Sequence, residues 1–272
     1  MNDSLHFMLS CRFRPSYDWA WVTYRGTIYF AGCPTDRPLN SPSSATVKLL
    51  QGIFDRFQDQ SFFILRQRLF LNHQPSAMDL GMIRLVAKRW TNIGFSKENN
   101  EMNEPQDITS WQEFGKRDEL FVESKLPRIR FTSSVDHIGS LEEASQALVE
   151  LESQIPSAPA RHQQARRIAA ILTDHKGQVL SRSVQRAWLN KTLHAEVELM
   201  QNYFRQHGTG LPPHSTIYVS EQPCRMCAAM IEQMKPQGQS MQVHVPQRGR
   251  ILLLAQVNLA EINKTSVKPH SL

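Results

Sequence analysis

The pattern of apolar and polar positions predicts alternating strands and helices along the chain. Near the N-terminus, "WAWVTYRGTIYFAG" is rich in aromatic and β-branched residues and predicts two strands around a turn at Arg25-Gly26-Thr27. "ATVKLLQGIFDRFQ" and "MDLGMIRLVAKRW" carry helical periodicity, and "SLEEASQALVEL" predicts a helix that begins with a capping box of Ser140 and Glu143. We therefore expect a mixed α/β or α+β N-terminal domain over residues 1–152, in which we find no motif. We find no internal repeat in the chain as a whole.

A polar segment with two prolines, residues 153–166, predicts a linker or an exposed lead-in. After it, "RRIAAILTD" and "QVLSRSV" predict a β-hairpin, and a helix follows from about Thr192 to Gln206. "STIYVSEQ" predicts a strand, "CRMCAAMIEQM" a helix, and "MQVHV" and "ILLLAQV" two more strands. The order ββαβαββ predicts an α/β sandwich over residues 167–272.

The last two predicted strands are close together in the sequence. Only Pro246 to Arg250 separate them, whereas a parallel crossover needs about a dozen residues or more. We therefore expect these two strands to form an antiparallel hairpin.

Composition narrows the class of protein. The chain has 272 residues, of which 40% are hydrophobic and 21% charged, as in soluble globular proteins. Asp3 stands where a secretion signal would be basic, and the longest late apolar run, "ILLLA", is much shorter than a membrane span. Four cysteines in a chain of this length are not a disulfide framework. We expect a cytoplasmic protein with no membrane partner.

Charge is distributed unevenly along the chain. Lys and Arg minus Asp and Glu give 17 − 19 = −2 for residues 1–155 and 14 − 6 = +8 for residues 156–272. A basic half is expected if it meets phosphate or nucleic acid, and it is also expected of a solvated basic face.

The candidate chemistry lies at the starts of two predicted helices. His194 and Glu196 stand two residues apart in "LHAEVELM", and Cys224 and Cys227 stand three apart in "PCRMC". Two residues turn a helix by about 200°, so the first pair does not share a face, but residues at a helix start project past its end and can border one cavity. Cysteines three apart are adjacent on a helix surface and can bind one ion.

One imidazole and two thiolates favour a tetrahedral zinc ion and leave a fourth position for water. Zinc lowers the pKa of such a water to about 7, and a carboxylate such as Glu196 is suited to moving its proton. A structural zinc site would instead need a fourth protein ligand, which His207 or His214 would have to supply.

These residues resemble the signature of the zinc-dependent nucleobase and nucleoside deaminases. "HAE" and "PCRMC" match its H-x-E and P-C-x-x-C elements. The resemblance covers the C-terminal half only and implies a cytidine deaminase-like three-layer α/β/α sandwich. It implies that His194, Cys224 and Cys227 bind Zn²⁺ and that Glu196 is the general acid/base. In the implied reaction, zinc-activated hydroxide hydrolyses the exocyclic amine of a cytosine, adenine or guanine type of base.

The sequence gives conflicting indications of the substrate. "MCAAMI" resembles the branch that includes cytosine, guanine and transfer-RNA adenosine deaminases, although Gln222 stands where that branch commonly has Glu. An antiparallel last hairpin is instead similar to the free cytidine deaminases. Asn190, in the loop before the "HAE" helix, and Arg225, between the cysteines, are the candidate substrate contacts.

Three functions remain open at this point. The first is a hydrolytic deaminase of a free nucleobase or nucleoside. The second acts on a base within tRNA or single-stranded nucleic acid, which the basic C-terminal half favours through Arg161, Arg166, Arg167, Arg182 and Arg186. The third is a non-catalytic zinc-binding module. The resemblance also implies self-association, because homo-oligomers are common in the family.

Overall fold

A computed structural model describes residues 16–92, 110–122, 124, 126–127, 129–132, 135–156, 166–239 and 241–245. Contacts divide the chain into two units. The first unit runs to Pro127 and also includes Ala187–Leu193, and the second unit contains the remaining residues.

The first unit is built on a sheet with the strand order β4-β3-β1-β2-β5. Its strands are β1 (Tyr17–Tyr24), β2 (Thr27–Pro34), β3 (Arg68–Leu71), β4 (Arg89–Asn92) and β5 (Ser110–Glu113). β1 is antiparallel to both β2 and β3, β4 is parallel to β3, and β5 is parallel to β2. The predicted hairpin is confirmed: Arg25 and Gly26, at φ 48° and 72°, form its turn, because a two-residue turn between twisted strands requires positive φ.

Three helices belong to the first unit: α1 (Ala45–Phe57), the short α2 (Ser61–Ile64) and α3 (Ala77–Val86). α1 packs against β1 and β2, and α3 packs against α1. Both long helices begin at a serine N-cap, Ser44 and Ser76, whose side-chain oxygens accept hydrogen bonds from helix amides. The helical periodicity found in these two segments is therefore confirmed.

The second unit is built on a sheet with the strand order β7-β6-β8-β9. Its strands are β6 (Ala169–Thr173), β7 (Val179–Val184), β8 (Thr216–Val219) and β9 (Gln242–His244). β6 is antiparallel to β7 and β8, and β9 is parallel to β8. The predicted hairpin is present as β6 and β7, and the strand predicted before the helix that carries the cysteines is present as β8.

Helices cover both faces of this second sheet. On one face, α4 (Leu141–Ser153) packs Ala144, Leu148 and Leu151 against Ala169 and Ile171 of β6. The intervening residues of β6 point to the opposite face, where α5 (Ala195–His207) packs on β6 and β7 and α6 (Arg225–Met234) packs on α5. The three-layer α/β/α arrangement predicted for this half is therefore observed.

Two features differ from the sequence-based expectations. α4 belongs to the second unit and not to residues 1–152, because its apolar stripe covers the sheet face formed by β6, β7 and β8. α5 starts at Ala195 rather than near Thr192, because the Asn190 side chain accepts hydrogen bonds from the Thr192 amide and hydroxyl and holds that segment in a turn. The last predicted strand, from Ile251, and its antiparallel pairing lie outside the described residues.

No helix in the part of the chain that the structure describes is both long and apolar enough to cross a membrane.

We predict that Leu148→Ala will lower the free energy of unfolding by about 2–5 kcal/mol, because Leu148 is 2% exposed and fills the contact between α4 and the second sheet. Val149→Ala is the matched control, since Val149 is 54% exposed and should change stability by less than about 0.5 kcal/mol. Urea unfolding of the full chain measures both values. Equal effects of the two substitutions would contradict the packing of α4 on this sheet.

Candidate metal and active site

The strand directions of the second unit bring the starts of α5 and α6 to one edge of the sheet. β7 and β8 are both antiparallel to β6, so they run in the same direction and their carboxyl ends lie at the same edge. α5 follows β7 and α6 follows β8, and each begins at that edge. His194 and Cys224 are the N-cap residues of the two helices, and Cys227 lies in the first turn of α6.

The candidate ligand atoms lie within contact distance of one another. The Cys224 and Cys227 Sγ atoms are 3.5 Å apart, and the His194 Nδ1 atom is 3.6 Å from each of them. Zinc–sulfur bonds of about 2.3 Å and zinc–nitrogen bonds of about 2.0–2.1 Å at tetrahedral angles place donor atoms roughly 3.5–3.8 Å apart. The His-Cys-Cys group therefore has the spacing that a tetrahedral metal ion requires.

The fourth ligand of a structural zinc site is not found among the described residues. There, the only group of His, Cys, Asp and Glu side chains close enough to hold a metal ion consists of His194, Cys224 and Cys227. His207 ends α5, about 20 Å along the helix from His194, and its ring stacks on Tyr203 at 4.4 Å. His214 is an exposed loop residue with φ 57°. Three protein ligands are typical of a catalytic site rather than a closed structural one.

The two sulfurs differ in their acidity. A hydrogen bond from Cys227 is the main reason that the pKa of the Cys224 thiol is lowered to about 4, with His194 lowering it further. Burial raises the pKa of the Cys227 thiol well above its ordinary value. Cys224 also sits at the N-terminus of α6, where the helix dipole favours a thiolate. One sulfur is thus prepared as an anion, the form that binds metal.

Glu196 lies beside this group in the first turn of α5. Glu196 is only 4% exposed, and burial raises the pKa of its carboxyl group above the ordinary value. The carboxyl group lies close enough to Cys227 for a hydrogen bond, and His194 interacts with it electrostatically. Among the residues that the structure describes, its Oε2 atom has no hydrogen-bond partner. A buried carboxyl oxygen without a partner beside a ligand group has the position of a proton-transfer group.

Polar contacts from β7 and from the segment after it fix the position of the first turn of α5. The Ser183 hydroxyl donates a hydrogen bond of 2.6 Å to the Ala195 carbonyl oxygen. Arg186 forms a buried, two-pronged ion pair with Glu198, one turn into the helix, and its Nε–Oε2 distance is 2.7 Å. Neither Ser183 nor Glu198 was identified from the sequence. The only signal for Glu198 was its place on the predicted helix, two residues after Glu196, and Ser183 had no such signal.

Four of the five arginines that we considered for nucleic-acid contacts make contacts within the second unit. Arg186 is paired with Glu198, and Arg167 donates to the carbonyl oxygens of Glu152 and Ile155 at the end of α4. Arg182 pairs with Asp136, and the largely exposed Arg166 pairs with Glu221. Arg161 lies outside the described residues.

The two candidate substrate contacts occupy different settings. Asn190 is 1% exposed and lies within the first unit, where its side-chain amide donates to the Gln51 carbonyl oxygen and to the Asp55 carboxylate. Its oxygen accepts from Thr192. Arg225 is exposed at the first position of α6, next to Cys224. A substrate role for either residue stays a prediction, and only Arg225 is exposed to solvent.

The fold of the second unit and its His-Cys-Cys group define a cytidine deaminase-like domain, and comparison with known families agrees. Residues 159–261 match the model of the Bd3614-like deaminase family. This match supports a cytidine deaminase-like superfamily for the C-terminal part of the chain, and deamination is the chemistry of the family whose model it matches. The match confirms the resemblance stated from "HAE" and "PCRMC".

Two solved structures show local similarity. One comes from structural studies of A-to-I editing by tRNA:A34 deaminases at the wobble position, with 33% identity over 25% of this chain and 52% of that chain, and a TM-score of 0.23. The other is guanine deaminase from Bacillus subtilis, with 18% identity over 39% of this chain and 64% of that chain, and a TM-score of 0.30. The chain thus spans between half and two thirds of the length of these proteins. No curated protein matches the chain.

We predict that the purified chain binds a metal ion at this group and that Cys227→Ala will remove it. Losing a direct ligand should weaken metal affinity by more than the 10–100-fold typical of losing an outer partner. Cys33→Ala is the matched control, because Cys33 is a buried cysteine in the first unit and should leave the metal content unchanged. Metal per chain is measured by mass spectrometry after dialysis. Retention of the metal by the Cys227 variant would show that this cysteine is not a ligand.

Proposed function

We propose that the second unit hydrolytically deaminates an amino-bearing nucleobase or nucleoside, of the cytosine, adenine or guanine type, with zinc as its cofactor. The observation that carries the proposal is the buried Glu196 carboxyl group beside three donor atoms that are 3.5–3.6 Å apart. A closed structural metal site has no use for a carboxyl group in this place. A hydrolytic site needs one.

His194, Cys224 and Cys227 would hold the zinc ion, since one imidazole and two thiolates are borderline and soft ligands with tetrahedral preference. When bound there, zinc would lower the pKa of a water molecule to about 7 and so supply a nucleophile at neutral pH.

Glu196 has the position to move protons during the reaction. Its Oε2 atom is buried and has no partner among the residues described, so it is free to accept a proton from water. The same oxygen then delivers protons to the ring nitrogen and to the leaving amine. In the balanced reaction water replaces the exocyclic amine by a carbonyl oxygen, and ammonia leaves. The burial that raises the pKa of this carboxyl group helps it to carry the proton between these steps.

A base within tRNA or single-stranded nucleic acid is the second candidate substrate. The net charge of +8 over residues 156–272 favours it, and Arg225 places an exposed cation next to Cys224. Against this, Arg167, Arg182 and Arg186 are occupied by contacts within the second unit. A phosphate-bearing substrate would therefore depend on Arg225 more than on these arginines.

We predict that Glu196→Gln will reduce kcat for ammonia release by about 10²–10⁴-fold while metal content stays unchanged, because the amide cannot accept the proton. The panel contains cytosine, cytidine, deoxycytidine, adenine, adenosine, guanine, total tRNA and single-stranded DNA. Glu232→Gln is the matched control, since Glu232 lies on α6 and pairs with Lys235 at the surface. Zinc-loaded protein that deaminates nothing in the panel would favour the third possibility, a non-catalytic zinc-binding module.

Arg225→Gln separates the two substrate classes. If the substrate is a nucleic acid, the variant should raise KM and reduce the slope of log affinity against log salt by about 0.7–0.9 for each phosphate that it no longer binds. With a free nucleoside, neither KM nor its weak salt dependence should change. Arg84→Gln, at an exposed helix position in the first unit, is the matched control. An unchanged salt slope for tRNA or single-stranded DNA would contradict a phosphate contact at Arg225.

A further inference from the structure

The two units have the same chain path. The shared path opens with an antiparallel hairpin, β1–β2 in the first unit and, after α4, β6–β7 in the second. A helix of 13 residues follows, α1 or α5, and then a strand, β3 or β8, that pairs antiparallel with the first strand of the hairpin. A helix of 10 residues, α3 or α6, leads to a strand, β4 or β9, that is parallel to its predecessor. The units also differ: α2 and β5 are additions in the first unit, and α4 is an addition in the second.

The residue that follows β3 and the residue that follows β8 make the same two hydrogen bonds to the first strand of their own sheet. After β3, Asn72 donates its amide to the Trp19 carbonyl oxygen, and its side chain accepts from the Trp19 amide at 2.6 Å. After β8, Ser220 donates its amide to the Ala169 carbonyl oxygen, and its hydroxyl oxygen lies 2.8 Å from the Ala169 amide, which donates to it. The last residues of the two strands pair alike, Leu71 with Ala20 and Val219 with Ala170. This register aligns β1 with β6 and β3 with β8, and the helix starts are aligned at their N-cap residues.

In that alignment the helix starts have similar sequences. "SATVKLLQGIF" from Ser44 aligns with "HAEVELMQNYF" from His194, and "QPSAMDLGMI" from Gln74 aligns with "QPCRMCAAMI" from Gln222. The identical residues include most of the buried packing positions. The identical pairs are Ala45/Ala195, Val47/Val197, Leu49/Leu199, Gln51/Gln201, Phe54/Phe204, Gln74/Gln222, Pro75/Pro223, Met78/Met226, Met82/Met230 and Ile83/Ile231.

The residues proposed for chemistry are among those that differ. Ser44 stands at the position of His194, Ser76 at that of Cys224 and Asp79 at that of Cys227. Ser44 and Ser76 are N-caps, as are His194 and Cys224, and the Ser76 and Cys224 backbones have the same angles, φ −70° and ψ 170°. At the position of the proposed proton carrier Glu196, the first unit has Thr46.

Hydrogen bonds connect the three replacing side chains. The Asp79 carboxylate accepts from the Ser44 hydroxyl through Oδ1 and from the Ser76 hydroxyl through Oδ2, at 2.9 Å for the latter. The Asp79 carboxylate also accepts a hydrogen bond of 2.9 Å from the Ser76 amide, and Asp79 is only 1% exposed. One carboxylate and two neutral hydroxyls lack the thiolate donors that zinc prefers. The His73 imidazole lies 4.0 Å from the Asp79 carboxylate, but His73 and Asp79 are only two possible ligands, and no group of three is found among the described residues of the first unit. The residues therefore do not fit zinc.

We infer that the first unit is a second copy of the deaminase fold that has lost its metal site, so that the chain carries one zinc ion and one active site. Asp79 bridges the two serine hydroxyls where a metal ion would otherwise join the helix starts. The inference takes from the proposed function only the assignment of His194, Cys224 and Cys227 as zinc ligands. It gives the N-terminal half a role as a non-catalytic repeat.

The test restores the missing donors in the full-length chain. Ser44→His combined with Ser76→Cys and Asp79→Cys should raise the metal content by one zinc per chain over the wild type. The matched control carries Ser44→His with Ala77→Cys and Leu80→Cys, which keeps the cysteine spacing but turns the pair by about 100° around α3. The control should gain no zinc. A folded restored variant with wild-type metal content would overturn the inference.

A second variant covers the case in which the restored chain does not fold. Asp79→Asn should lower the melting temperature, because it weakens the bridge to Ser44 and Ser76, and should leave zinc per chain at the wild-type value. Loss of zinc from this variant would show that Asp79 is itself a ligand and would overturn the inference. Because the restored variant is compared with the wild type, a wild type without zinc would refute the proposed function and still leave the gain of one ion measurable.

Discussion

The direction of two strands determines whether the candidate site exists. Because β7 and β8 both pair antiparallel with β6, the helices that follow them begin at one edge, and donor atoms 30 residues apart (224 − 194) come within 3.6 Å. Reversing either strand would move one helix start to the far edge of the sheet. Packing of α4 on the face opposite α5 buries the sheet on both sides and helps to hold the strands in this arrangement.

The buried charges of Arg186 and Glu198, near the site, are compensated by their ion pair with each other. The Arg186–Glu198 pair is about 90% buried, and a buried pair contributes little net stability but costs several kcal/mol when one partner is removed. Together with the bond from Ser183 to the Ala195 carbonyl oxygen, it fixes the turn of α5 that carries Glu196. Burial dominates the environment of the Glu196 carboxyl group, and its raised pKa is the consequence. The structure thus places this unfavourable burial on the acidic group that the proposed reaction needs.

The sequence alone predicted β6 to β9, α5 and α6 of the second unit, and it predicted four candidate site residues at helix starts, where the structure brings His194, Cys224 and Cys227 together. This much was accessible because spacing at helix starts is a local property. It did not predict that α4 would join the second unit, since an amphipathic stripe does not specify which sheet it covers. Asn190 was considered as a substrate contact, but its partners on α1 lie about 140 residues away in the sequence. The internal repeat was missed because the helix starts are 32 residues apart in one unit (76 − 44) and 30 in the other (224 − 194), and because the chemically distinctive residues are those that differ.

The helix starts of the second unit lack the capping hydrogen bonds that the helix starts of the first unit make. Ser44 and Ser76 cap α1 and α3 by accepting bonds from the Val47 and Asp79 amides, and such caps contribute about 0.5–2 kcal/mol each. His194 and Cys224 occupy the same positions without a side-chain cap bond. Their imidazole and thiol groups face each other instead, so α5 and α6 lack this stabilisation unless a metal ion joins them. Because metal binding adds to the stability of the folded state, a metal ion would stabilise the second unit, whereas the first unit obtains the same connection between its helix starts from hydrogen bonds.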